Sequence, residues 1–232
     1  MQAHELQESL IVNLPALKEI DPTFAELYPV APVVTAEYAV TLMNDMGTRA
    51  FVGGAEESPF DGVSELRTLF SELKTRTLAV SGVLAHTDAL AHNIVLGVDS
   101  FGKKRMVFVD WDEGTLPGKI PERLSDKEKS GKRAWISHLM YPNGLRRQQQ
   151  GDWYTRVQLA AALISLLSKT TDLSSAQESK LEKLIDQSRA LARQLEPLTP
   201  VSELIENRTD SIPGNLAALD RGCDEFLSGN YF

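Results

Sequence analysis

Leucines recur at every fourth position in HELQESLIVNL, so Leu6, Leu10 and Leu14 define one apolar face and residues 4–14 read as a helix. Pro15 is expected to close it. Asp21 and Pro22 then predict a second helix start, with Asp21 as N-cap and Pro22 in the first turn. Residues 29–34 (PVAPVV) read as an extended connector. Thr35 is expected to cap a helix running to about Met46, with Gly47 just past its end. Residues 48–52 (TRAFV) suit a short strand, ended by Gly53 and Gly54.

Ser64 opens a stronger pattern. Leu66, Leu69, Phe70 and Leu73 have the spacing of one helix face. Three strand-like runs follow, at 77–85, 92–98 and 105–111. The short glycine-bearing link from Asp99 to Lys104 predicts a hairpin between the second and third. Residues 112–134 are polar and broken by Pro117 and Pro121, and Tyr141-Pro-Asn-Gly is a turn signal. Residues 153–168 are apolar nearly all round and predict a buried helix. A further helix runs from Ser174 or Ser175 to about Glu196, with Leu181, Leu184, Leu191 and Leu195 along it and Pro197 beyond it. Residues 202–208 and 215–227 read as two shorter helices.

The fold class is therefore α+β: a small antiparallel sheet of three to four strands with flanking helices, followed by a helical C-terminal half. Residues 1–150 form the mixed α/β region. Residues 151–232 form a helical region packed on the first as one domain.

Charge changes this picture more than composition does. The chain has 232 residues and a net charge of −8, with 42% hydrophobic and 24% charged residues, ordinary for a globular protein. Within residues 100–156 twelve Lys and Arg face seven Asp and Glu, a local +5, so the remainder carries −13. All three tryptophans, Trp111, Trp135 and Trp153, fall in that same segment. Charge sorted this way marks a contact surface, and an acidic whole argues against non-specific nucleic-acid binding by the entire surface. The single cysteine, Cys223, excludes an internal disulfide and suits a reducing compartment, so a cytoplasmic location is expected. MQAHELQESL lacks the basic and apolar regions of a secretory signal. The longest apolar stretch, near residues 157–167, is too short for a membrane span, and no membrane partner is expected.

Three constellations carry candidate chemistry. In Val107-Phe-Val-Asp-Trp-Asp-Glu, strand alternation places Asp110 and Asp112 on one face, where two carboxylates can share a divalent metal for phosphoryl transfer. His86, Asp88 and His92 lie within seven residues at a turn and could ligate zinc, manganese or iron. The plainer reading of that turn is an Asp88 cap flanked by polar histidines. His138 follows Ser137, and sequence neighbours cannot form the pair a nucleophilic triad requires.

The third is the basic and aromatic segment. Lys103, Lys104, Arg105, Lys132, Arg133, Arg146 and Arg147 interleave with Trp135, Tyr141 and Trp153. Such a surface suits an acidic protein, including the acidic remainder of a second copy, or single-stranded nucleic acid. The leading expectation is a non-enzymatic subunit of a larger assembly, docking through residues 100–156 on a protein partner or as a homo-oligomer. The alternatives are a metal-dependent enzyme acting on a phosphate-containing or nucleic-acid substrate, and a nucleic-acid-binding module. No cofactor is expected beyond a divalent metal in the enzymatic reading.

Overall fold

A computed structural model describes residues 2–34, 39–40, 43–50, 58–84, 86, 89, 91–111, 150–170, 172–195 and 211–229. Helix α1 (Gln2–Ile20) runs straight through Pro15, which was expected to end it. The ring removes one amide donor, but continuing the helix buries Leu17 beside Leu10 and Leu14, all at most 3% exposed. Burying one such leucine is worth about 2 kcal/mol, enough to offset much of the loss. Helix α2 (Thr23–Leu27) starts one residue later than expected, with Pro22 rather than Asp21 at its N-cap, and the Asp21 carboxylate accepts the Thr23 amide at 3.0 Å.

The helix expected over 35–46 is not formed. Val33–Val34 (β1) pairs antiparallel with Ala39–Val40 (β2), and residues 43–47 are irregular. β-branched valines fit a pleated pair better than a helix. Residues 35–38 and 41–42 lie outside the described set. Gly47 does not cap a helix. At φ 135° it brings the chain against the Leu96 carbonyl, while Gly97 meets the Met46 carbonyl, so neither position has room for a Cβ.

Helix α3 spans Val63–Val80. Its predicted apolar face, Leu66, Leu69, Phe70 and Leu73, is buried. Of the 77–85 run, expected as a strand, residues 77–80 form the last helical turn and 81–83 the turn after it. Thr77 hides its hydroxyl by donating to the Leu73 carbonyl at 2.8 Å, and Val80 is 1% exposed. The expected hairpin is present: β4 (Ile94–Val98) pairs with β5 (Lys104–Phe108), Leu96 opposite Met106. The two-residue β3 (Thr48–Arg49) adds antiparallel to the other edge of β4.

In the helical C-terminal half, α4 spans Gln150–Leu167, α5 Ser175–Leu195 and α6 Ser211–Ser228. Described α4 positions from Leu159 to Leu167 are almost all buried. Ser174 and Gln177 form a reciprocal capping box at the start of α5, at 2.7 and 3.4 Å. The helix expected over 202–208 lies outside the described residues. Helix α3 sits between the parts, touching β5 as well as α4 and α6. One hydrophobic cluster runs from Leu10 through Phe70 and Phe108 to Leu163 and Phe226.

Candidate contact surface

The hairpin turn is built by Asp99. Its backbone amide donates to the Lys103 carbonyl and its carbonyl accepts the Gly102 amide, both at 2.9 Å. Its carboxylate accepts the Phe101 amide at 2.8 Å and the Lys103 amide at 2.9 Å. The Lys103 amide chiefly holds that carboxyl below the usual carboxylate range; desolvation opposes it, and the Phe101 amide adds to the lowering. Gly102 takes φ 78°, the left-handed conformation this turn requires. The side chain displayed at the apex is Phe101, 93% exposed.

The three hairpin cations are already matched inside the chain. Lys103 pairs with Glu72 of α3 at 2.7 Å. Lys104 reaches Asp61 and Glu65 at 2.8 Å each, and these hydrogen bonds, that of Asp61 foremost, raise its pKa. Arg105 is buried and grips Glu26 of α2 with both terminal nitrogens, Nη1 at 3.0 Å. That hydrogen bond lowers the Glu26 pKa and raises that of Arg105.

The far end of the segment lies elsewhere. Arg156 of α4 donates to Asp220 of α6 at 3.1 Å. Asp220 also receives Lys74 of α3 at 2.8 Å, and Lys74 reaches Asp224 as well. Lys74 and Glu72 are two residues apart on α3, so they point about 200° apart around its axis. The hairpin lysines and Arg156, at the two described ends of the segment, therefore meet opposite sides of α3. Lys132, Arg133, Trp135, Tyr141, Arg146 and Arg147 lie outside the described residues, and so does the side chain of Trp153.

At the other end of β5, strand geometry stops at Phe108. Val109 still donates to the Asn93 carbonyl at 2.9 Å. Asp110 then adopts φ 66° and is exposed. The alternation expected to place Asp110 and Asp112 on one face therefore does not reach Asp110, because the chain turns out of the strand there. Asp112 and Asp88 lie outside the described residues. His86, 1% exposed, is not a surface residue. Its Nε2 donates to the Val109 carbonyl at 2.9 Å, and its ring packs on Phe108 and Trp111 at 5.2 and 4.5 Å. His86 thus lies beside the end of β5, where Asp110 is. His92 sits half-buried in a 3-10 turn at Ala91–Asn93. Among the described residues, no three His, Cys, Asp or Glu side chains cluster to hold a metal.

Trp111 belongs to the core. It stacks edge-on against Phe24 at 4.8 Å, and its Nε1 donates to the Phe108 carbonyl at 2.8 Å. In the β4–β5 register, Met106 and Phe108 point their backbone groups away from β4. Arg76 donates to the Met106 carbonyl and Trp111 to that of Phe108. Two side chains therefore cover carbonyls on the outer edge of β5, which would otherwise invite another strand. Burial lowers the pKa of Arg76.

Sequence reasoning missed Asp61, Glu65 and Glu72 as parts of this surface. The one signal for Glu65 and Glu72 was their spacing on the polar face of an amphipathic helix, and Asp61 lies in the turn before it. It also missed Gln158, whose Oε1 accepts the Ala89 amide at 3.1 Å and ties α4 to the histidine-bearing turn.

The chain matches no protein-family model, and no curated protein or solved structure is significantly similar to it. Among the described residues, no helix is long and apolar enough to cross a membrane.

Proposed function

We propose that this protein is a non-enzymatic, cytoplasmic subunit of a larger assembly, docking through residues 100–156. Its two parts act as one domain centred on α3. The observation that carries this reading is charge segregation: +5 in that segment against −13 in the rest, with Trp135 and Trp153 on the basic side and Trp111 in the core. The geometry supports it in a narrower form. The hairpin end holds its cations within the chain. The contact is proposed to run through Lys132, Arg133, Arg146 and Arg147, with Trp135 and Tyr141 among them in the sequence. An acidic protein surface suits that stretch, and the acidic remainder of a second copy is such a surface.

Size-exclusion chromatography with light scattering, run with and without single-stranded nucleic acid, tests this reading. Assembly without nucleic acid that is lost on Arg146→Glu/Arg147→Glu is the expected result. An assembly unchanged by that double reversal at physiological salt overturns it. A mass increase only on adding nucleic acid, fading steeply with salt, favours the nucleic-acid module instead.

A further inference from the structure

Phe101 has no part in holding the fold. It is 93% exposed, and Val98 beside it on β4 is 61% exposed. The turn beneath them is fixed by four hydrogen bonds centred on Asp99. A rigid backbone that displays an aromatic ring to solvent is a preorganised anchor, because little conformational freedom remains to be lost on binding.

The charges around this tip are unbalanced. Among the described residues, Lys103, Lys104 and Arg105 are the cations there, and Glu26, Asp61, Glu65, Glu72 and Asp99 are the anions. Asp61 keeps 82% of its side chain exposed while paired, and Glu72 keeps 41%. The tip is therefore an apolar knob with surplus, accessible carboxylates. What complements it is a surface both apolar and basic. This chain carries that chemistry between residues 127 and 147, where six Lys and Arg face one Glu and Trp135, Ile136, Leu139, Met140 and Tyr141 intervene.

We propose that the hairpin tip, with Phe101 as anchor and the carboxylates of Asp61, just before α3, and of Glu65 and Glu72 along α3 as rim, receives the 127–147 stretch of a second copy of this chain. This rests on the docking reading above and names the acidic surface involved. A contact between two tips alone would bury roughly 200 Å² per ring, far below the roughly 1,200 Å² of a stable interface. Reciprocal exchange places two tips against two basic stretches and produces a closed, two-fold pair.

The test is a charge swap on the full-length chain, read by light scattering across a dilution series. The native chain is expected at twice 25.6 kDa. Phe101→Asp should raise the dimer dissociation constant about tenfold or more, with an unchanged thermal transition because Phe101 packs on nothing. Arg146→Glu/Arg147→Glu should do the same. Adding Asp61→Lys/Glu72→Lys to that double reversal should restore the dimer. A monomeric native chain, a dimer indifferent to Phe101→Asp, or no rescue by the swap overturns the proposal. The broader docking reading fails separately. A dimer broken by Arg146→Glu/Arg147→Glu but indifferent to Phe101→Asp and to the swap sustains that reading alone. Indifference to Arg146→Glu/Arg147→Glu removes both.

Discussion

Lys74 and Lys104 each hold two carboxylates, yet their surroundings differ. Lys74 lies between α3 and α6 with 9% of its side chain exposed. Lys104 lies on the outer face of the hairpin with 44% exposed. Both pKa values are raised. For Lys74 burial is the largest influence and pulls downward, and the hydrogen bonds to Asp220 and Asp224 together outweigh it. For Lys104 the hydrogen bond to Asp61 leads and burial opposes it weakly. The same ion-pair chemistry thus serves two ends. Where water is excluded it locks a helix in place, because a stranded charge there has no substitute partner. Where water is present the partners can be exchanged, which suits a contact surface.

The largest effect should come from breaking the buried set. Lys74→Ala is expected to cost about 3 kcal/mol in denaturant unfolding, the low end for a broken buried pair because Arg156 stays on Asp220. The raised Lys74 pKa fixes the sign of a pH effect. Its contribution is complete below the unfolded lysine value of about 10.4 and is lost as pH rises through the folded-state value. The native chain should therefore lose stability in strong alkali, and Lys74→Met should flatten that loss. Equal alkaline slopes for native and Lys74→Met proteins would remove Lys74 as the lock. Burial pushes the Cys223 thiol up to about 12, so it adds an alkaline loss of its own to both proteins, and the difference between their slopes isolates Lys74.

A neutral buried hydrogen bond should fall between the two charged cases. Trp111→Phe keeps an aromatic ring against Phe24 and His86 but leaves the Phe108 carbonyl without its indole donor. The expected cost is about 2 kcal/mol, the lost bond plus a small cavity. Hydrogen exchange should then show faster opening along β5, and unchanged protection there would mean the indole does not guard that edge.

The comparison also shows what a linear reading could find. Helix α3 was legible from Leu66, Leu69, Phe70 and Leu73, the hairpin from Gly102 in a short link, and the start of α5 from Ser174. Each is a local pattern whose partners are close in sequence. The errors have long-range causes. Residues 77–80 look like a strand by β-branching, yet they stay helical because α3 is packed on more than one side. The first amide of α3, Val63, is capped by Asp172 from 109 residues away, which no local signal announces. The candidate surface was half legible for the same reason. Its cations stand in one run, but the carboxylates that pair with the hairpin cations come from α2, α3 and the turn before α3, and Arg156 belongs to the opposite side of α3.

Acid tests the turn itself. The Asp99 carboxyl is held below its ordinary value, so its contribution is present above the unfolded carboxylate pKa and is lost as pH falls through the lower folded value. The Phe101 and Lys103 amides should exchange faster below that point while the β4–β5 ladder stays protected. If both amides stay protected when the carboxyl is protonated, the backbone alone holds Phe101 in place.

The smallest effect belongs to Lys104. Its carboxylates are at the surface, Asp61 mostly in water, so Lys104→Ala should leave the thermal midpoint within measurement error at physiological salt. The interest of that null result lies in what it does to binding. Removing Lys104 frees Asp61 and Glu65 without disturbing the hairpin, and the tip becomes more acidic. If those carboxylates receive the basic stretch of a second copy, Lys104→Ala should tighten the dimer while leaving the fold alone. A variant that loses thermal stability instead would place Lys104 with Lys74, as part of what holds the fold together. One that changes neither stability nor association would leave the hairpin cations outside both roles.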